Sequence, residues 1–202
     1  MTPSAAASPA PRRVLVTGAS RGLGLEFVRQ LLARGDAVLA ACRRPADATA
    51  LAALAAAHPD RLAVRALELT DPASRAALLD GVAVGWGAID VLINNAGVLA
   101  SGERFGQLDA ATFRTAFETN TLAPLLFAEA ATPLLAKGHA PVVVWLSSVL
   151  GSIASTQSFY TPSYAVSKAA LNMALRLAAI PMAEQGIRSV ALHPGWVKTD
   201  MG

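Results

Sequence analysis

Tyr164 and Lys168 stand four residues apart in SYAVSKAALN (163–172), with no other charged residue in that stretch. On a helix this spacing puts both side chains on one face, about one turn apart. A phenol with a pKa of about 10 is a poor proton shuttle at neutral pH. An ammonium a few ångströms away favours the phenolate, and bringing the phenol to about 7 needs roughly 4 kcal/mol of differential stabilisation. The pair can thus be an acid and its tuner. Taken alone, it reads more readily as a half-buried tyrosine beside a solvated lysine on an ordinary amphipathic helix.

Other residues add to it. TGASRGLG (17–24) carries Gly18, Gly22 and Gly24. These permit a tight turn and close backbone approach, leaving helix amides aimed at a pyrophosphate. Their GxxxGxG spacing differs from the common GxGxxG fingerprint, and a bare structural turn would also use glycine. In AACRRP, Cys42, Arg43 and Arg44 stand where a carboxylate would mark a free ribose 2′-hydroxyl. Arg43, helped by Arg21, suits a 2′-phosphate instead, so NADP(H) is expected over NAD(H); two solvated loop arginines are the bland alternative. NNAG (94–97) offers side-chain amides and a small-residue path, and Ser147 and Ser148 bring hydroxyls to the same region. Asn120, between FET and TLAPLL, is mildly unfavourable inside a helix and is expected to bond something.

Elements that could position these residues alternate along the chain. Valine- and leucine-rich runs at 13–18, 37–42, 62–69, 89–97, 141–148 and 187–195 predict six strands. Alanine-rich segments predict helices through LGLEFVRQLLARG and ATALAALAAAH, and over 72–84, 109–118, 122–137 and 163–185. Pro124 and Pro133 blur two of these limits, and Pro181 predicts a break or kink near Ile180. Apolar strands bridged by helices imply a parallel sheet covered on both faces, a single doubly wound α/β domain of the Rossmann type. In such sheets ligands bind beyond the carboxyl ends of the strands. TGASRG, Arg43, NNAG, Ser147–Ser148 and HPG all fall there.

Composition narrows the class. At 202 residues, with 53% apolar and 15% charged, the chain is long enough for one good core. The net charge of +3 comes from scattered arginines with no basic stripe, so nucleic acid is not the expected partner. Cys42 is the sole cysteine, and the three histidines lack ligand spacing, so no metal site is expected. Residues 1–12 read as a disordered tail without a signal-peptide core, and LAPLLFAEAATPLLA is broken by Glu129 and two prolines. A cytoplasmic protein, with no membrane partner, is expected.

TGASRGLG, NNAG, Asn120, Ser148, YAVSK and HPGWVKTD, in this order, resemble the short-chain dehydrogenase/reductase family across nearly all of 13–202. LSSVLGSI followed by SYAVSKAALNM and HPGWVKTDMG is most similar to its C-factor and sniffer-like carbonyl-reductase branch. Ser148 precedes Tyr164 by 16 residues, a longer interval than many members have, and the intervening TQSFYTP would border the substrate.

The resemblance implies reversible reduction of a ketone or aldehyde to an alcohol. Tyr164 would be the general acid, Lys168 would lower its pKa and hold the nicotinamide ribose, and Ser148 would bind the substrate oxygen. Asn120 would anchor a water relaying protons through Lys168. In the glycine loop Gly18, Ser20, Arg21, Gly22, Leu23 and Gly24 would hold the cofactor. Leu69 would lie near the adenine, with Asn95, Ala96 and Gly97 along its flank. Pro194, Gly195, Val197 and Thr199 would hold the nicotinamide and diphosphate end. Phe159, Tyr160 and Trp145 suggest an apolar or aromatic carbonyl substrate. A homodimer or homotetramer through 109–137 and 163–185 is expected. Family members continue past the point where this chain stops, so the last family strand is expected to be missing and the sheet edge open. The rival reading is a cofactor-binding signalling protein of the same fold with little turnover.

Overall fold

A computed structural model of the chain describes residues 10–195. Six strands, β1 (Arg13–Thr17), β2 (Ala37–Cys42), β3 (Leu62–Ala66), β4 (Val91–Asn94), β5 (Val142–Leu146) and β6 (Arg188–Leu192), form one sheet in the order β3-β2-β1-β4-β5-β6. Every neighbouring pair is parallel. The doubly wound expectation holds.

Both faces are buried because side chains alternate across a strand. In β1, Val14 and Val16 face a core with Val28 and Leu32 of α1 (Gly22–Arg34) and Leu51 of α2 (Thr49–Ala57). Leu15 faces the opposite core. There it joins Leu78 and Val82 of α3 (Pro72–Gly85), Phe127 and Leu135 of α5 (Ala123–Leu135), and Leu171 of α6 (Pro162–Glu184). Three consecutive apolar residues, Val14 to Val16, are what this double burial demands in the middle of β1. Trp145 of β5 is fully buried in the second core, so it does not border a substrate; that expectation is corrected.

Every strand but β2 is shorter than the sequence suggests. The third ends at Ala66; Leu67 N–H still bonds Cys42 O at 2.9 Å, and the chain then turns toward Asp71, which caps α3. The fourth ends at Asn94 and leaves Asn95, Ala96 and Gly97 in the loop. The helices expected over 109–118 and 122–137 are α4 (Ala110–Phe117) and α5, joined by a π-helical turn over Glu118–Leu122. The break expected near Ile180 is absent, since α6 runs to Glu184. Pro181 and Leu177, four residues before it, are both exposed, so the carbonyl that loses its partner faces water. Pro133 in α5 has the same arrangement with exposed Glu129.

Candidate active site

The strand order reverses between β1 and β4, and a cleft of about 380 Å³ opens at their carboxyl ends. Gly18 and Ser20 through Gly24 form one wall. A side chain at Gly18 (φ +66°) would meet Ala96 Cα at 2.8 Å, and one at Gly24 would meet Asn95 Nδ2 at 2.6 Å. The loop is therefore pressed against NNAG with room for hydrogen only. Asn95 staples the two, donating from Nδ2 to Thr17 O (3.0 Å) and Gly18 O (3.1 Å). Thr17 Oγ1 in turn accepts the N–H groups of Asn95 and Ala96. Helix α1 starts at Gly22 with no side-chain cap and no acidic residue in its first turn. Its orphan amides and positive dipole end suit an anion. The donor set thus fits the pyrophosphate of a dinucleotide.

At the far end, Leu69, Cys42 and Arg43 line the cleft. Arg44 is paired with Asp47 at 2.9 Å, whereas the exposed Arg43 side chain has no such partner among the described residues. That separates two adjacent arginines the sequence leaves equivalent. Glu68 and Thr70 also line this end, and Thr115 and Thr119 line the other. The strand-end rule could have found the first two; the threonines come from a helix and carry no local signal.

Tyr164 and Lys168 both face the cleft, from the first two turns of α6. Lys168 is buried and donates from Nζ to Leu146 O at 2.7 Å, with Nζ 5.5 Å from the centre of the Tyr164 ring. Burial pushes its pKa down to about 8. For Tyr164 burial pushes the phenol above its ordinary value, and a hydrogen bond with the Ser148 side chain pulls the other way. The expected lowering of Tyr164 is therefore not produced by the protein's own groups, because desolvation outweighs the opposing effect of Ser148.

Ser148 begins a short 3₁₀ turn over Val149–Gly151. Ser147 Oγ donates to Asn172 Oδ1 (2.6 Å), and Asn172 Nδ2 donates to Gly151 O (3.3 Å), so α6 grips both ends of this turn. A side chain on Gly151 would come 2.7 Å from Lys168 C, so glycine is what lets Ser148 sit against the lysine's helix. Asn120, buried in the π turn, has both of its amide protons committed. Its Oδ1 accepts Val98 N–H (2.8 Å), and its Nδ2 donates to Val98 O (2.8 Å) and Ser167 Oγ (2.9 Å). Thr121 Oγ1 adds a bond to Ser167 O (2.7 Å). The sequence expects Asn120 to bond something; its partners are a loop and a helix. Ala96, Gly97 and Pro194 line the cleft and Gly195 follows it in the chain. Val197 and Thr199 lie outside the described residues.

A family model described as short chain dehydrogenase matches residues 12–202. The chain belongs to the short-chain dehydrogenase family. This short-chain dehydrogenase is 41% identical to the NADPH-bound carbonyl reductase from chicken fatty liver, with a TM-score of 0.89 over 95% of this chain and 82% of that one. The carbonyl reductase Sniffer of D. melanogaster is 32% identical, also with a TM-score of 0.89, over 95% and 83%. C-signal of Myxococcus xanthus is 42% identical over 116 residues, 57% of this chain and 70% of its own. Among the described residues no helix is long and apolar enough to cross a membrane, and no cluster of metal-ligating side chains occurs.

Proposed function

We propose that the protein is an NADP(H)-dependent carbonyl reductase, interconverting a ketone or aldehyde and its alcohol. The observation that carries the reading is the Tyr164 phenol beside buried Lys168, whose Nζ lies 5.5 Å from the ring centre, at the rim of a cleft with room for a dinucleotide. The Gly18–Gly24 loop would hold the pyrophosphate, Arg43 with Arg21 the 2′-phosphate, and Leu69 the adenine. Asn95, Ala96 and Gly97 would flank the cofactor, and Pro194, Gly195, Val197 and Thr199 would complete the nicotinamide end. The bound nicotinamide supplies the hydride and, once oxidised, a positive charge.

The chain's own residues handle the proton. Ser148 orients the substrate oxygen, and Tyr164 Oη donates the proton to it. Burial keeps the phenol protonated before the hydride is transferred, and the positive charge of the oxidised nicotinamide would then favour release of its proton. Lys168, near 8, is able to take up and pass on a proton close to neutrality. Both amide protons of Asn120 are taken, so its side chain has no donor left for a relay water. Exposed Phe105, Ile153, Phe159 and Tyr160 on the neighbouring loops favour an apolar or aromatic carbonyl. Val166, Met173, Leu177 and Ile180, all more than half exposed along α6, support pairing of two copies through that helix. Cys42, a free buried thiol, suits the cytoplasm.

The likeness to C-signal favours a second reading, a cofactor-binding signalling protein. Retention of Asn120, Ser148, Tyr164 and Lys168 together weighs against it, because binding alone needs no proton donor. Loss of NADPH absorbance with a panel of aldehydes and ketones tests the proposal. Turnover that vanishes in Tyr164→Phe, with NADPH binding kept, supports it; binding without turnover on any carbonyl favours the signalling reading.

A further inference from the structure

Helix α6 begins without a local cap. Thr161, just before it, has φ +40° and ψ 58°, a left-handed conformation unfavourable for a β-branched residue, and its side chain makes no capping bond. Its Oγ1 is buried and unpaired. Pro162 has no N–H, so Ser163 presents the first orphan amide and Tyr164 the next. The cap comes from 60 residues upstream. Glu103 Oε2 accepts Ser163 Oγ–H at 2.8 Å, and the two carboxylate oxygens stand 3.3 and 3.4 Å from Ser163 N.

Glu103 sits on a tip of the loop after β4. Gly102 (φ +79°) and Gly106 (φ +88°) flank it, both with open space around their α-carbons. Two residues on, Phe105 meets Phe159 edge-on, with ring centres 5.5 Å apart at 88°. The tip therefore holds the approach to α6 at two points, one ionic and one aromatic, on either side of Thr161. We infer that Glu103 is a positioning residue for Tyr164, and that the Gly102–Gly106 tip is a clasp fixing the first turn of α6. This rests on the reading of Tyr164 as the proton donor. A first helical turn frays most readily, and the reacting hydroxyl is carried there, beside a backbone already held in a strained conformation. A carboxylate that satisfies the amide next to it, and complements the helix dipole, fixes the phenol's position without touching substrate. Glu103 does not line the dinucleotide cleft.

The test uses Glu103→Ala, Glu103→Gln and Tyr164→Phe in the full chain. In Glu103→Ala, amide hydrogen exchange at Ser163 and Tyr164 speeds up by about fivefold, and kcat falls by about tenfold or more, while NADPH affinity stays at wild type. Glu103→Gln keeps an oxygen that accepts both Ser163 donors and recovers most of each effect. Unchanged exchange in Glu103→Ala, or a Glu103→Gln variant no better than it, overturns the clasp whatever the activity. Faster exchange with wild-type kcat, where Tyr164→Phe is inactive, overturns the positioning role. Wild-type turnover in Tyr164→Phe defeats the proposed function instead and leaves the clasp to be judged by exchange.

Discussion

The two ends of the sheet treat charge in opposite ways. At the amino end, where β1, β2, β4 and β5 begin, cations meet anions or carbonyls. Asp90 takes Arg13 in a two-pronged pair (3.0 and 2.8 Å) and also accepts the Arg13 and His139 N–H groups. Asp36 accepts Arg34 Nε at 2.7 Å and Arg12 N–H at 2.9 Å, and the Arg12 guanidinium spreads over the carbonyls of Asp90, His139 and Ala140. At the carboxyl end Lys168 is buried against a carbonyl without a carboxylate, Arg43 points into water, and Thr161 is strained with an unpaired hydroxyl. The amino end pairs its charges within the protein, although Arg12 Nε is buried without a partner and Ala140 holds φ +46°. The other keeps positive charge and orphan amides for something anionic, and its local imperfections gather around Tyr164.

That contrast is open to attack by substitution. Tyr164→Phe should lower carbonyl turnover by about 10³-fold, the proton-transfer share of catalysis, while NADPH still quenches tryptophan fluorescence with unchanged affinity. Lys168→Met should cost about 10²-fold in turnover yet unfold at the same or a higher temperature. The sign follows from burial. With the folded pKa near 8 and the ordinary value at 10.5, the buried ammonium opposes folding below pH 8, and wild-type stability rises as pH climbs between the two. A clear drop in melting temperature for Lys168→Met would erase the distinction between the ends.

Asp90→Ala should do the reverse, losing about 2 kcal/mol of stability with normal turnover at low temperature, as chemical denaturation would measure. Burial alone would raise the Asp90 pKa, but the hydrogen bonds from the Arg13 side chain and backbone and from His139 N–H outweigh it and hold the group at about 2. Its stabilisation is therefore whole above its ordinary 3.8 and fades as pH falls from there to about 2, so Asp90→Asn should flatten that part of the acid-unfolding curve. Arg43→Ala should have the smallest effect, weakening NADPH binding by about tenfold and NADH binding hardly at all. Equal losses for both cofactors would remove Arg43 from the 2′-phosphate site.

Much of this was legible in the sequence because it is local. β1 reads as a buried strand since both faces are apolar, and Tyr164 and Lys168 read as neighbours since a helix fixes their spacing. The glycine loop reads as a cradle because Gly18 and Gly24 leave no room for a Cβ. Tertiary quantities stayed hidden. Nothing near Glu103 announces a partner 60 residues away, and nothing in FETNTL marks a π turn. The proline in α6 looks like a break until its solvent-facing position is known. The sign of the Tyr164 shift depends on how deeply the ring is buried, which spacing does not reveal.

Tyr160 and Tyr164 are the chain's two tyrosines, so a Tyr160→Phe background leaves Tyr164 as the only phenol to titrate. Ultraviolet phenolate titration of that protein, with and without NADP⁺, addresses the acid–tuner claim most directly. Tyr164 should ionise above the usual phenol value in the protein alone and at lower pH with NADP⁺ bound, and the drop should shrink when Lys168 is replaced by methionine. A titration that ignores both NADP⁺ and Lys168 would contradict the account.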